Sequence, residues 1–235
     1  MEKLMRKQIL AMGGGGFSME PENLALDRFL LSLSDKNKPK VCFIGTASGD
    51  SSDYIDRFYS SMKELNCEPS HLALYRGTEG NLRDFVLDKD IFYVGGGNTR
   101  NLLALWREWK LDIYLKEAYD KGIVLAGISA GSICWFEQGV TDSVPGKLSS
   151  LDCLGFLSGS NCPHYDGEAE RRDSYHSLLN EGMKSGIACD DGVAAYYIDG
   201  KLSEYVSSRE QAFAYSVSYE DGEIVEEKNR PRYLG

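Results

Sequence analysis

The chain predicts an α/β fold, a three-layer α/β/α sandwich with a mostly parallel central sheet. Two patterns carry that expectation. Short apolar runs recur that are near-continuous rather than alternating, as parallel strands covered on both faces require. Between them lie stretches with apolar residues at helical spacing, which gives the β-α-β-α rhythm of a doubly wound sheet.

The elements follow in order. QILAM (8–12) reads as the first buried strand, and LALDRFLLSL (24–33) as the helix after it. KVCFIGTAS (40–48), HLALYRG (71–77), DIFYVGGG (90–97) and GIVLAGIS (122–129) read as further strands. SDYIDRFYSSMKEL (52–65) and TRNLLALWREWKL (99–111) are the intervening helices. Beyond Ser129 the rhythm changes. A helix is expected over 130–138, stopped near Gly139, then a loop-rich stretch to about 172. RRDSYHSLLNEGMK reads as helical. GIACDDGVAAYYIDGKLSEYVSS and YSVSYEDGEIVEEK read as short strands joined by tight Asp-Gly turns, a hairpin signal. No linker, low-complexity segment or repeat intervenes, so residues 1–235 are expected to form a single domain.

Composition narrows the function. Hydrophobic residues make up 42% and charged residues 26%, an ordinary globular balance with no apolar run long enough to span a membrane. The N-terminal MEKLMRKQILAMGGGG has no apolar segment of secretory length, so a cytoplasmic location is expected. A net charge of −10 disfavours nucleic acid and anionic membranes as partners. An acidic substrate would have to be held by local arginines. Six scattered cysteines with no Cys-x-x-Cys pair argue against a zinc ribbon or a thioredoxin-type site. In runs such as VCFIG and SICWF they act as small hydrophobes. No metal and no cofactor is expected.

Two glycine loops follow strands. GGGG (13–16) does not complete a dinucleotide fingerprint: Ser18 stands where the third glycine belongs, and no Gly-Lys-Ser/Thr is present for a P-loop. A tight turn with close backbone approach is the reading. GGGN (95–98) ends a strand, where open parallel sheets place their ligands. Its N–H groups can face developing negative charge, and Asn98 is also a good N-cap.

Gly127-Ile128-Ser129-Ala130-Gly131 fits the Gly-x-Ser-x-Gly nucleophile elbow, after a strand and before a helix. The N–H of Ala130 would then point at an oxyanion. A serine hydroxyl needs a base. Of three histidines, His71 opens a strand and His176 lies in a helical run. His164, in the loop NCPHYDG, is the candidate. The third member should be a carboxylate that orients the imidazole. Asp142 is the first choice. Glu137, its rival, stands roughly 12 Å along a helix axis from Ser129. Asp166 is too near His164 in sequence to be a comfortable partner, although an Asx-type contact is open to it. The order Ser129, Asp142, His164 is that of α/β-hydrolases, but 35 residues from serine to histidine (164 − 129) leave no room for their extra strands.

These motifs, together with YVGGGNT (93–99), AGISAGS (126–132), CPHYDGE (162–168) and DDGVAAYY (190–197), span most of the chain. On them the chain resembles the peptidase E family of serine peptidases (family S51), relatives of which are aspartyl dipeptidases and cyanophycinases on a class I glutamine amidotransferase-like, flavodoxin-like fold. The resemblance implies Ser129 as nucleophile, His164 as base and Asp142, 22 residues before it (164 − 142), as the acid. It implies an oxyanion hole at Ala130 and Gly96 or Gly97, Asn98 near bound substrate, a homodimer, and no metal. The implied activity is a serine exopeptidase or dipeptidase acting on small peptides through an acyl-enzyme. Members that remove N-terminal aspartate carry Gly-Glu-Ser/Thr-Arg after the histidine, the arginine gripping the aspartyl carboxylate. Here Gly167-Glu168-Ala169-Glu170 precedes Arg171. Glu170 would repel that carboxylate, and Arg171 is turned roughly 100° from its position on a helix. Another peptide specificity, cyanophycinase-like for instance, or a non-catalytic small-ligand binding protein, are the alternatives.

Overall fold

The first apolar run forms strand β1 (Gln8–Met12), and its alternating residues divide the interior. Ile9 and Ala11 enter one hydrophobic cluster, Leu10 and Met12 another on the opposite face. The structure, a computed structural model, describes residues 6–77 and 80–235.

From β1 the chain runs through α1 (Gly16–Met19), α2 (Ala25–Ser32), β2 (Lys40–Ile44), α3 (Ser52–Met62) and β3 (Glu68–Leu72). Then come α4 (Leu82–Leu87), β4 (Ile91–Val94), α5 (Thr99–Glu108), α6 (Leu111–Asp120), β5 (Val124–Ile128) and α7 (Ala130–Ile133). The next part is β6 (Phe136–Val144), β7 (Lys147–Asp152), β8 (Leu157–Cys162), α8 (Arg171–Asn180) and β9 (Gly186–Cys189). It ends with β10 (Val193–Ile198), β11 (Lys201–Ser207), β12 (Ala214–Glu220), β13 (Glu223–Asn229) and β14 (Arg232–Tyr233).

These strands build two sheets. The larger has the order β14-β11-β10-β1-β5-β4-β2-β3, and its run from β1 to β3 is parallel. The α1–α3 face is sealed by Phe17, Phe43, Tyr54, Phe58 and Tyr93, with Phe43 stacked on Phe58 at 5.1 Å between centroids. On the other face Leu102, Trp106 and Leu115 of α5 and α6 share a cluster with Phe136, Leu157 and Ile187 of the second sheet. That sheet has the order β13-β12-β9-β8-β6-β7, and α8 packs on it through Tyr175 and Leu179. The fold is an α/β sandwich, with a second sheet sharing one face with the helices.

The second sheet corrects the expectation for 130–172. The helix after Ser129 ends at Ile133, and the supposed loop is three strands. Phe136, Val140 and Thr141 are buried on β6, which pairs antiparallel with β7 across the Pro145-Gly146 turn and parallel with β8. β-Branched and aromatic residues take the strand when partners exist on both sides. The third strand also lies earlier than read, at Glu68–Leu72. As the edge of its sheet it tolerates Pro69 and exposed Glu68 and His71, so its apolar pattern is broken. All six cysteines are free. Among the described residues no helix is long and apolar enough to cross a membrane.

Candidate active site

Neighbouring strands β4, β5 and β1 present three loops at their carboxyl ends: Gly95–Gly97, Ser129, and Gly13–Gly16. Ser129 sits in the middle loop with φ 55 and ψ −116, a conformation that a side-chain-bearing residue rarely adopts. The corner is held by the Ser129 N–H donating to Met12 O at 3.2 Å, and by Ser132 and Ile133 N–H donating to Ser129 O at 2.9 Å. Two glycines are needed because the turn is crowded. A Cβ on Gly127 would collide with the Gly131 backbone, and one on Gly131 with the Val94 carbonyl. Ser129 itself is half-buried.

His164 follows β8, also at positive φ (55), on a turn closed by Gly167 N–H to His164 O at 3.2 Å. The Nδ1–H of its ring donates to Oδ1 of Asp191 at 2.6 Å. A carboxylate accepting this bond places a proton on Nδ1, so the tautomer of the neutral ring is the one with its lone pair on Nε2. β8 and β9 are parallel neighbours, with Cys162 beside Ala188, so the loops after them emerge side by side. Tyr165 N–H donates to Cys189 O at 3.1 Å and fixes that junction. The Asp191 carboxylate lies between two glycines. A Cβ on either Gly14 or Gly167 would collide with it.

The carboxylate at the imidazole is therefore Asp191, not Asp142. Asp142 is exposed on β6, a strand the sequence reading took for a loop. Glu137 is taken up elsewhere: its Oε1 pairs with Lys184 at 2.6 Å, and its Oε2 accepts the Gly159 N–H at 2.8 Å. The sequence carried one signal for Asp191, the Asp-Gly pair in DDGVAAYY, which reads equally as a hairpin turn. The histidine and serine segments are linked directly, since Asn161 Nδ2, three residues before His164, donates to Oγ of Ser132, three after Ser129.

Around the serine the donors differ in their freedom. Among the described residues the N–H groups of Ala130 and Gly97 meet no other partner, whereas the Gly96 N–H donates to the Tyr54 hydroxyl oxygen at 3.3 Å. That hydroxyl lies 2.6 Å from Ser18 Oγ, and burial pushes its pKa up, so it stays protonated. A Cβ on Gly96 would be 3.3 Å from the Ser129 Cβ, which puts this loop against the serine. Asn98 is occupied as the N-cap of α5: Oδ1 accepts the Asn101 N–H at 2.9 Å, and Nδ2 donates to Ser143 O at 3.0 Å. Both ends of its amide are thus used inside the protein.

Arg171 is 2% exposed and grips Glu168 through Nε at 2.6 Å and a second nitrogen at 3.2 Å, with Val140 O at 3.3 Å. Glu170 is exposed at the start of α8. The other two histidines are engaged apart from this site, His71 with Tyr59 at 2.9 Å and His176 with Glu226 at 2.9 Å.

A strained serine at a strand-to-helix corner of an α/β sandwich and a carboxylate-held histidine on a segment tied to it are residue types from which serine hydrolases are built. The sequence model of peptidase family S51 matches residues 9–205, and the chain belongs to that family. It is 56% identical over 230 residues to the uncharacterized peptidase YgaJ of Bacillus subtilis, covering 97% of this chain and all of that one. With a peptidase E of Shewanella amazonensis it shares 25% identity over 160 residues, 64% of this chain and 66% of the other. In three dimensions it is similar to a peptidase from an acI-B1 Actinobacterium, with a TM-score of 0.70, 18% identity and coverage of 97% and 96%. That likeness bears on the fold.

Proposed function

We propose that the chain is a serine exopeptidase of the peptidase E type, which hydrolyses small peptides through an acyl-enzyme on Ser129. The Nε2 of His164 takes the Ser129 proton as the hydroxyl attacks the peptide carbonyl, and returns it to the leaving amine. Asp191 holds the imidazole in the tautomer this needs. The free N–H groups of Ala130 and Gly97 receive the oxyanion. Water then attacks the ester by the same route in reverse, and releases the acid. The observation that carries the reading is the His164–Asp191 bond on a loop tied to the serine turn.

The same reading extends to specificity. Arg171 is spent on Glu168 within the protein, so it does not grip a substrate carboxylate, and the preference is for small peptides without a strict N-terminal aspartate. A dipeptide library hydrolysed by wild type and by Ser129→Ala tests both points. The expected result is turnover lost in the variant, with Asp-X no better than other N-termini. Turnover that survives Ser129→Ala contradicts the mechanism, and a strong Asp-X preference contradicts the specificity.

A further inference from the structure

We propose that Asp166 and Arg209 form a clamp on the main chain of Asp191, and act as positioning residues for the hydrolytic site. The inference rests on the proposed function above. The Asp191 N–H donates to Asp166 Oδ1 at 2.7 Å, and a terminal N–H of Arg209 donates to the Asp191 carbonyl at 2.8 Å. The same guanidinium nitrogen donates to Asp166 Oδ2 at 3.1 Å, which closes a ring around the peptide groups on both sides of Asp191. Arg209 is itself braced. Its N–H donates to the Ser207 hydroxyl oxygen at 3.0 Å, and that hydroxyl lies 2.7 Å from the Arg209 carbonyl. A Cβ on Gly192 would come within 2.7 Å of the Arg209 Cδ, so the side chain lies flat over the loop.

The arrangement answers a physical problem. Asp191 sits in a loop between sheets, with no ladder to hold it. Its carboxylate must nevertheless stay in line with Nδ1 of His164, because displacement of about 1 Å in a catalytic constellation costs about a hundredfold in rate. Arg209 also supplies the countercharge to the Asp166 carboxylate, at 3.1 Å. Asp166 lies two residues after His164. The clamp thus ties the acid's backbone to the histidine's own turn, and the two move as one unit.

The test compares Arg209→Met, Arg209→Lys and Asp166→Asn with wild type by two readouts. The first is the second-order rate at which a fluorophosphonate labels Ser129. The second is the low-field proton resonance of the His164 Nδ1–H, which reports the bond to Asp191 whether or not Ser129 reacts. Arg209→Met is expected to slow labelling about ten- to a hundredfold and to broaden or shift the resonance. Arg209→Lys recovers part of both, and the Arg209→Met/Asp166→Asn double variant is no slower than Arg209→Met, since the two act together. Wild-type labelling and an unmoved resonance in Arg209→Met overturn the clamp. A wild type that resists labelling overturns the assignment of Ser129 instead, and the resonance still decides the clamp. If Arg209→Met does not fold by circular dichroism, Asp166→Ala makes the same comparison.

Discussion

His164 and Asp191 are 27 residues apart in the chain and 2.6 Å apart in space, joined Nδ1 to Oδ1 across the ends of two parallel strands. Asp191→Asn can still accept from Nδ1–H but can equally present its NH2 and favour the other tautomer. Loss of the carboxylate at a Ser-His-Asp site costs about 10⁴ in kcat. A fall of about 10³ to 10⁴ is expected for Asp191→Asn, and activity within twofold of wild type for Asp142→Asn. Steady-state rates on one dipeptide substrate decide it, and the reverse order would return the role to Asp142.

Much of this was legible in the sequence, and what was not has a common cause. β1 coincides with QILAM, and Asp199-Gly200 and Asp221-Gly222 are hairpin turns with positive φ at both positions (51 and 76; 50 and 92), as their dipeptides indicate. Asp191-Gly192 has the same local chemistry but a different use. There the chain leaves β9 in one sheet and enters β10 in the other, so the turn becomes a crossover that carries Asp191 to His164. The same holds for FEQGVTDSV, which reads as the end of a helix and a loop and becomes a strand because β7 and β8 lie alongside. The turns at Ser129 and His164 were readable because their loops are local. The Asp191 carboxylate beside His164 was not, because only strand pairing brings it there.

Gly14→Ala tests the room made for Asp191. The backbone at Gly14 is not in the left-handed region, so alanine costs little locally, but its Cβ would collide with the carboxylate. Activity is expected to fall at least about tenfold while the melting temperature drops only a few degrees. Equal loss of both would mean that Gly14 serves the fold alone.

Arg171→Met separates a structural arginine from a substrate-binding one. Arg171 is buried but Glu168 is 47% exposed, so removing the guanidinium returns Glu168 to water, leaves the Val140 carbonyl without this donor and costs about 1–2 kcal/mol in stability, read by urea unfolding. The ratio of kcat/KM for Asp-X over Ala-X is expected to stay within about twofold. A selective loss of Asp-X hydrolysis would place Arg171 on the substrate.

Asp27 gives stability a pH dependence. It is 1% exposed beneath Gly16 and Phe17, and burial pushes its carboxyl up to about 6, partly offset by the Phe17 N–H and the Tyr93 hydroxyl. The folded state holds this proton more tightly than the unfolded chain, in which the carboxyl titrates near 3.8. The resulting stabilisation is complete below about pH 4 and is lost as pH rises to about 6, a penalty of roughly 3 kcal/mol above that. Asp190, also pushed up to about 6 by burial, acts in the same direction. Asp27→Asn removes its own share, so its stability relative to wild type should increase between pH 4.5 and pH 7.5 in urea titrations. An unchanged difference across that range contradicts the assignment.

The central claim is that Ser129 is the nucleophile and His164 the base that activates it. Intact-protein mass spectrometry after exposure to a fluorophosphonate tests it most directly. The account predicts one adduct per chain, mapped to Ser129, absent in Ser129→Ala and strongly slowed in His164→Ala. No adduct on the wild type, an adduct on another residue, or equal labelling of His164→Ala would contradict it.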